Sequence, residues 1–584
     1  MTSRHRPVSL GPTEVDVIHR PDGAVVLRSP HPLGPFPERI TDRLDHFAAC
    51  DPDRLLFAQR AGGSGWRTLT YGVARDAARR IAGALLARKL SAERPVVVLS
   101  GNDIEHALIE LGALYAGIAY APISPAYSLV SSDHGKLRAI LALLTPGLVY
   151  ASDRAAFARA IAAAVPADVE VCCADDFPRL RAAPPSRAVD EAHDGVTGET
   201  IAKFLFTSGS TGDPKAVINT QRMWCSNQEM IRTVLAYFRD EPPVIVDWAP
   251  WHHTAAGNHD FGLVLYNGGT YYIDEGRPVP GAIEATVRNL GEISPTWYFN
   301  VPRGFEALLP FLRADARLRA TFFRRLKVLW FAGAGLAQPV FDAYRELGRS
   351  TVGEEILFLT GLGSTETAPF ALGRVWPTDD ASNIGVPPPG VEVKLVPIEG
   401  KYEARLKGPN VAPGYWRQPE LTRQAFDDEG YYRLGDTFVF ADGDPRRGLL
   451  FRGRMSEDFK LSTGTWVHVG PLRTRLLEHL APLVQDVVIA GEGRSELAIL
   501  VFPAAGFSPE AFWQRLACFE STGSSDRIVR ALVMTEPPSL DAGEITDKGT
   551  INQRAVLTRR CDRVEQLYSG EPRPPAGSRA RPKP

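Results

Sequence analysis

The stretch IAKFLFTSGSTGDPKAVINT, residues 201–220, decides how the rest of the chain is interpreted. Its first six residues form an apolar run that predicts a buried strand, and residues 207–215 predict an exposed loop. The loop combines hydroxyl side chains, glycines and a lysine: Thr207, Ser208, Gly209, Ser210, Thr211, Gly212 and Lys215. Glycine lets the backbone turn its N–H groups toward an anion, while the hydroxyls and the lysine add donors and positive charge. The loop therefore predicts a polyphosphate site, with a flexible surface turn as the alternative.

This loop is not a Walker A motif. That motif ends in Gly-Lys followed by Ser or Thr, whereas Lys215 lies between Pro214 and Ala216. The polyphosphate interpretation therefore depends on what the rest of the chain supplies.

Length and composition limit the class of protein. With 584 residues, the chain is expected to form at least two domains. A net charge of -2 offers no bulk attraction to nucleic acid or to an anionic membrane. The six cysteines form no CxxC pair, the N-terminus lacks a signal-peptide core, and no stretch has the length of a membrane helix. We therefore expect a cytoplasmic protein with reduced thiols and neither nucleic-acid nor membrane partners.

The first part of the chain alternates strand and helix patterns. Residues 95–100 and 118–123 predict strands on either side of a helix over 104–116, which is a βαβ unit. The alternation continues, with further strands predicted at 147–150, 169–173, 244–248 and 328–331. We expect stacked doubly wound sheets with ligands at the carboxyl ends of the strands, and a surface arm over residues 1–36.

The pattern changes after about residue 390. Alternating segments predict a small β subdomain that completes an N-terminal domain over residues 1–454. Residues 455–569 predict a smaller, mobile α+β domain, and the Pro- and Arg-rich residues 570–584 predict a disordered tail. The predicted fold class is therefore α/β with a large first domain and a small second one.

Two adjacent histidines, His252 and His253, follow the predicted strand 244–248. With His259 nearby, a metal site is one interpretation, but no carboxylate or thiol completes a ligand set at a recognised spacing. Packing against the sheet is the other interpretation.

The motifs of the chain together resemble those of the adenylate-forming superfamily, which holds acyl-CoA synthetases, peptide-synthetase adenylation domains and luciferases. They run in family order from about residue 43 to 560: the phosphate loop, FAGAG (331–335), TGLGSTET (360–367), YYRLGD (431–436), GRMSEDFK (453–460) and GEITDKG (543–549). Within the superfamily, GLGSTETAP, EDFKLSTGTWV and GEITDKGTINQRAVL are most similar to feruloyl-CoA synthases, which activate hydroxycinnamic acids.

The resemblance assigns ATP and AMP binding to the phosphate loop and to a second set of residues: Gly333, Ala334, Gly335, Gly361, Leu362, Gly363, Ser364, Thr365, Asp436 and Arg454. Asp436 would accept both ribose hydroxyls, Thr365 would bond the α-phosphate, and Glu366 would be the protein carboxylate on Mg²⁺. At position 362 a leucine replaces the aromatic residue that stacks on adenine in the family.

The resemblance also implies an acyl pocket, and it implies that the smaller domain, residues 455–569, acts as a mobile lid. The acyl group would contact Trp251, His253, Asn258, Gly333 and Gly361, with His252 pointing elsewhere. Lys548 would be the C-terminal catalytic lysine, Lys460 would act after rotation at the hinge residue Ser456, and CoA would meet Gly464, Thr465 and Trp466. Serine at the hinge, and three residues rather than two between Lys460 and Gly464, depart from the family pattern.

The implied activity is that of an AMP-forming acid:CoA ligase that uses ATP, Mg²⁺ and coenzyme A. The expected acid is a hydroxycinnamate such as ferulate, which would pass through an acyl-adenylate. Alternatives are a CoA ligase for another aryl or medium-chain fatty acid, and a non-catalytic ATP-binding relative suggested by Leu362 and Ser456. Pyrophosphate release separates the last alternative from the ligases. The sequence leaves the oligomeric state open, with a homodimer as one option.

Overall fold

The computed structural model describes residues 5–63, 65–184, 186–208, 214–547 and 549–569. Its strands are, in chain order, Asp16–His19 (β1), Val25–Arg28 (β2), Leu55–Arg60 (β3), Trp66–Thr70 (β4), Val96–Leu99 (β5), Tyr120–Ile123 (β6), Leu148–Ala151 (β7), Glu170–Cys173 (β8), Ile201–Ser208 (β9), Pro214–Thr220 (β10), Val244–Asp247 (β11), Thr270–Ile273 (β12), Trp297–Asn300 (β13), Val328–Phe331 (β14), Leu357–Gly363 (β15), Phe370–Arg374 (β16), Glu392–Ile398 (β17), Lys401–Lys407 (β18), Tyr432–Phe440 (β19), Leu449–Arg454 (β20), Phe459–Lys460 (β21), Trp466–Val467 (β22), Val484–Ala490 (β23), Leu497–Pro503 (β24) and Ile528–Val533 (β25).

The helices are Thr41–Cys50 (α1), Tyr71–Leu86 (α2), Ile104–Tyr115 (α3), Ala126–Leu129 (α4), Gly135–Leu144 (α5), Arg154–Ala164 (α6), Phe177–Arg181 (α7), Arg187–Asp194 (α8), Gln221–Val234 (α9), Phe261–Asn267 (α10), Ile283–Glu292 (α11), Pro302–Ala314 (α12), Ala316–Arg324 (α13), Gln338–Val352 (α14), Pro419–Ala425 (α15), Val469–Leu480 (α16), Pro509–Ala517 (α17), Gln553–Arg559 (α18) and Cys561–Ser569 (α19). A π-helix over Ala255–Asp260 leads directly into α10. In the part of the chain described, no helix is long and apolar enough to cross a membrane.

Three mixed sheets build the α/β part of the first domain. Their strand orders are β10-β9-β6-β5-β7-β8, β11-β12-β3-β4 and β13-β14-β15-β16. The inner strands are parallel, and one edge strand of each sheet, β10, β4 or β16, is antiparallel. This arrangement confirms the predicted α/β class.

The centre of the first sheet is covered on both faces. In β5, Val96 and Val98 belong to the core that includes α2 and α3, whereas Val97 and Leu99 belong to the core with α5 and α6. A strand buried on both faces needs an unbroken apolar run, which explains the sequence VVVL. Gly112 lets α2 and α3 approach closely, because a Cβ there would lie 2.5 Å from Ile81.

The N-terminal segment is more than a surface arm. β1 and β2 form a hairpin, and β2 pairs with β17, which extends the β subdomain to six strands in the order β1-β2-β17-β18-β19-β20. Leu27 is fully buried in the main core. The arm prediction is therefore wrong for residues 16–28, because this hairpin joins, through β2 (VVLR), four strands, β17–β20, that lie more than 360 residues away.

The second domain has its own core. β23, β24 and β25 form a sheet, and α16 and α17 pack on it through Leu472, Leu476 and Phe512. A two-stranded hairpin, β21–β22, precedes α16. The tail over 570–584 lies outside the described residues, so its predicted disorder stays a prediction.

Candidate active site

The two ends of the predicted phosphate loop lie on paired strands. β9 and β10 are antiparallel, with Thr207 opposite Lys215 and Ser208 opposite Pro214. The strand prediction ended at Phe206, but cross-strand pairing extends β9 beyond the apolar run and places Lys215 inside β10. Residues 209–213 lie outside the described part of the chain. The hairpin therefore fixes both ends of the loop.

Tyr415, a residue not selected from the sequence, connects this hairpin to Glu366. Trp416 N–H donates to the Ala216 carbonyl at 2.8 Å, which adds the segment to β10. The Tyr415 hydroxyl donates to Glu366 Oε1 at 2.8 Å, and Lys215 Nζ lies 5.3 Å from its ring centroid. Burial and the nearby Glu366 carboxylate raise the pKa of Tyr415, which keeps the hydroxyl a donor. The available sequence signal was an aromatic pair after Pro-Gly, which is too common to indicate a site.

Two hydrogen bonds stabilise the turn that carries Glu366. Ala412 N–H donates to the Glu366 carbonyl at 2.8 Å, and Asn410 Nδ2 donates to the Thr367 carbonyl at 2.9 Å. Thr365 and Glu366 are both buried, at 9% and 8% exposure. Tyr415 bonds only one oxygen of Glu366, and no described residue forms a hydrogen bond with the other. A single available carboxylate oxygen suits Mg²⁺, which takes one or two protein carboxylates and completes its shell with phosphate and water.

Asp436 and Arg454 are opposite each other on β19 and β20. Arg454 Nε lies 3.4 Å from Asp436 Oδ1, but within the described chain that oxygen receives no hydrogen bond. Burial raises the pKa of Asp436 to about 6, and the charge of Arg454 opposes that rise. A buried carboxylate with too few donors fits a ligand that brings two hydroxyl groups, such as a ribose.

Two small-residue segments lie at the same edge of one sheet, one after β14 and one at the end of β15. Phe331 at the end of β14 is opposite Thr360 of β15, so residues 332–335 begin beyond β14 at the level where β15 continues through Gly361, Leu362 and Gly363. Gly333, Ala334 and Gly335 are exposed. Leu362 is partly buried and packs against the main core. Gly361 and Gly363 are sterically required: added Cβ atoms would lie 2.5 Å from Trp330 and 1.6 Å from the Pro369 carbonyl oxygen. These segments form an open side of the candidate site.

Both adjacent histidines contact one carboxylate of the second domain. His252 Nε2 lies 3.1 Å and His253 Nε2 lies 3.4 Å from Asp547 Oδ2. The prediction that His252 points elsewhere is therefore wrong, because the lid offers a shared partner. The three groups could also hold a metal ion. Burial alone would raise the pKa of Asp547, but hydrogen bonds and charge from the two histidines bring it well below its ordinary value.

Two predicted acyl-pocket residues lie behind the surface. Trp251 is fully buried and donates to the Tyr271 hydroxyl at 3.1 Å, inside an aromatic cluster with Phe57 and Phe261. Asn258 is also fully buried and donates to Asn219 Oδ1 at 2.8 Å. Neither side chain has free surface, so each can shape a pocket only through its neighbours.

The predicted CoA segment forms the β21–β22 hairpin. Lys460 is opposite Trp466, with Nζ 4.8 Å from the indole centroid and 3.5 Å from Glu399 of the β subdomain. Gly464, with φ +82, turns the hairpin, and the Thr465 carbonyl accepts a hydrogen bond from Leu461 N–H at 2.9 Å. Ser456, the predicted hinge, lies in an exposed turn after β20. Lys548 lies outside the described residues.

The chain belongs to the AMP-binding enzyme family. Residues 44–416 match the domain described as AMP-binding enzyme, and residues 457–572 match the AMP-binding enzyme C-terminal domain.

Curated relatives with different substrates match the chain at similar identity. Feruloyl-CoA synthase of Amycolatopsis sp is 28% identical over 402 residues, which cover 66% of this chain and 73% of the synthase. Carboxylic acid reductase of Segniliparus rugosus is 26% identical over 442 residues, covering 67% of this chain but only 34% of the reductase. A mitochondrial malonate–CoA ligase of Mus musculus is 26% identical, and the match covers 50% of this chain and 53% of the ligase.

Solved structures share the fold. O-succinylbenzoate coenzyme A synthetase from Bacillus subtilis, in complex with AMP, has a TM-score of 0.70 at 16% identity and covers 89% of this chain and 98% of its own. The A domain of the Segniliparus rugosus carboxylic acid reductase has a TM-score of 0.71 at 20% identity and covers 91% of this chain and 94% of its own.

Proposed function

We propose that this protein is an AMP-forming acid:CoA ligase whose acid is a hydroxycinnamate such as ferulate. The observation that carries the proposal is the contact between Asp547 and the two histidines, because it brings the 543–549 motif to the core beside the predicted acyl pocket. The neighbouring Lys548 would then reach the reacting carboxylate and the α-phosphate. The match to feruloyl-CoA synthase supports the choice of acid.

The proposed reaction has two steps. In the first, a carboxylate oxygen of the acid attacks the α-phosphorus of ATP, an O–P bond forms, and the α–β phosphoanhydride breaks to release pyrophosphate. In the second, the CoA thiolate attacks the acyl carbonyl, and AMP leaves with the electrons of the broken C–O bond. Negative charge grows on phosphate oxygens in the first step, where Lys215 and Lys548 are the cations proposed to stabilise it.

The nucleotide would be held by residues already described. Asp436 would accept the ribose hydroxyls, the 332–335 segment would face the adenine, and Thr365 would bond the α-phosphate. Glu366 would hold Mg²⁺, which when bound would offset charge on the phosphate oxygens. Tyr415 would orient Glu366 through its hydrogen bond.

The lid would serve the two steps in two orientations. Rotation at Ser456 would withdraw the 543–549 segment and bring the β21–β22 hairpin, with Lys460, toward CoA. In the orientation described here the hairpin instead lies beside Glu399 of the β subdomain.

Separate half-reactions test this proposal. Lys548→Ala should lower pyrophosphate release ~100- to 1,000-fold, as expected for one electrostatic donor, yet convert prepared acyl-AMP and CoA to thioester at nearly the parent rate. Lys460→Ala should show the reverse bias. Equal slowing of both half-reactions by Lys548→Ala would contradict the two-orientation mechanism.

A panel of acids tests the substrate. Ferulate and 4-coumarate should be turned over far better than benzoate, decanoate or malonate, measured as kcat/KM from pyrophosphate release with and without CoA. An equal or higher value for decanoate or malonate would remove the hydroxycinnamate assignment and leave the ligase assignment standing. Absence of pyrophosphate with every acid would instead favour the non-catalytic ATP-binding alternative.

A further inference from the structure

The lid is anchored to the core at two points of one loop. At the first, Asp541 Oδ2 accepts hydrogen bonds from Ser132 N–H at 3.0 Å and Ser132 Oγ at 2.7 Å, and Lys136 Nζ donates to the Leu540 carbonyl at 2.8 Å. At the second, Asp547 meets His252 and His253. Five residues lie between the two aspartates, so the loop between them is held at both ends.

The two anchors differ in burial. Asp541 bonds to Ser132, which is exposed, whereas the Asp547 side chain is only 9% exposed and the two histidine side chains 11% and 12%. Removing a carboxylate from water is costly unless donors compensate it, and within the described chain the two histidines are the groups that hydrogen-bond Asp547. The buried contact can therefore exist only while the lid holds this orientation.

We infer that Asp547, clasped by His252 and His253, is a positioning residue that latches the lid in the adenylating orientation for the first half-reaction. This inference rests on the proposed function. It assigns His252 a task that the acyl-pocket prediction did not give it. The latch must open before the second half-reaction, so its loss should affect the two steps differently.

Asp547→Asn keeps the size of the side chain and removes its charge. Loss of charge-assisted hydrogen bonds should lower the rate of pyrophosphate release about 10- to 100-fold. Thioester formation from prepared acyl-AMP should stay within about twofold of the parent or rise, a split that a general loss of folding would not produce. His252→Asn should reproduce the split from the core side. Asp562→Asn is the matched control, because Asp562 is exposed on α19 of the same domain.

Hydrogen exchange provides a readout that does not depend on turnover. Amides of residues 540–547 should exchange faster in Asp547→Asn and His252→Asn than in the parent and in Asp562→Asn. Unchanged exchange together with unchanged half-reactions in Asp547→Asn and His252→Asn would refute the latch. If the parent releases no pyrophosphate but the two variants still exchange faster than the parent, only the ligase assignment is refuted. If the parent carries about one equivalent of zinc that Asp547→Asn loses, the cluster is a metal site and the latch inference is overturned.

Discussion

Replacing Asp436 by asparagine should stabilise the ligand-free protein and at the same time weaken its hold on the nucleotide. The carboxylate is buried, and its Oδ1 receives no hydrogen bond from the described residues. Burial raises its pKa from 3.8 to about 6. At 1.36 kcal/mol for each pH unit, that difference corresponds to about 3 kcal/mol of unfavourable free energy for the ionised folded state. Asparagine has no charge to desolvate, so the variant should recover much of it.

The pH dependence has a definite sign. The folded protein holds the Asp436 proton up to about pH 6, whereas the unfolded chain releases it near 3.8. The folded state therefore binds more protons in that window, and the contribution of Asp436 to stability falls as pH rises through it and is level above it. Asp436→Asn should lack this fall. Urea unfolding of the parent and variant near pH 5 and pH 7.5 should show a larger gain for the variant at the higher pH.

Nucleotide binding should respond in the opposite direction. Ribose hydroxyls donate best to the ionised carboxylate, so AMP affinity of the parent should increase as pH rises through about 6. Asp436→Asn should bind AMP more weakly and without this dependence, as measured by calorimetric titration. Asp428→Asn, an exposed aspartate of the same subdomain, serves as the control. An Asp436→Asn variant that is less stable than the parent at pH 7.5, or that binds AMP equally well, would refute the reasoning.

Three further changes test other parts of the site. Lys203→Met should cost ~3–5 kcal/mol in urea unfolding, because it leaves the fully buried Glu110, 2.7 Å away, without its cation; adding Glu110→Gln should recover part of that loss, and equal stability of the single and double variants would contradict an ionised pair. Glu366→Gln should raise the Mg²⁺ concentration needed for half-maximal pyrophosphate release, and an unchanged requirement would show that the metal lies elsewhere. Gly361→Ala should lower the free energy of unfolding by ~1–3 kcal/mol and alter tryptophan fluorescence, because the new Cβ would lie 2.5 Å from Trp330. A variant with parental stability would show that the neighbouring side chains adjust to the added methyl group.

Local patterns were sufficient for the main architecture. The unbroken apolar run within residues 95–100 predicted a strand, and the structure covers that strand, β5, with α2 and α3 on one side and α5 and α6 on the other. The N-terminal hairpin was missed because its partner, β17, lies far away in sequence. Pairing across that distance leaves no periodic signal within either segment.

In the candidate site, too, local motifs could be predicted from the sequence and contacts between distant residues could not. Motifs identified Glu366 and Asp436 because each lies in a short segment with distinctive neighbours. Tyr415 and Asp547 were not given their contacts, since both act on residues that are dozens to hundreds of positions away. Side-chain direction was also beyond the sequence: His252 and His253 converge on one oxygen, whereas Trp251 beside them is turned into the core.

The short distance along the chain from Arg454 to Ser456 has a mechanical consequence. Arg454 ends β20 opposite Asp436, and Ser456 lies two residues later, so the proposed pivot is next to the proposed ribose site. In a rotation, displacement grows with distance from the axis. Atoms near the ribose would therefore travel a short arc while the loop carrying Asp547 sweeps a long one. Such a rotation would let the ribose end of the ligand stay bound while the residues that act on its other end are exchanged.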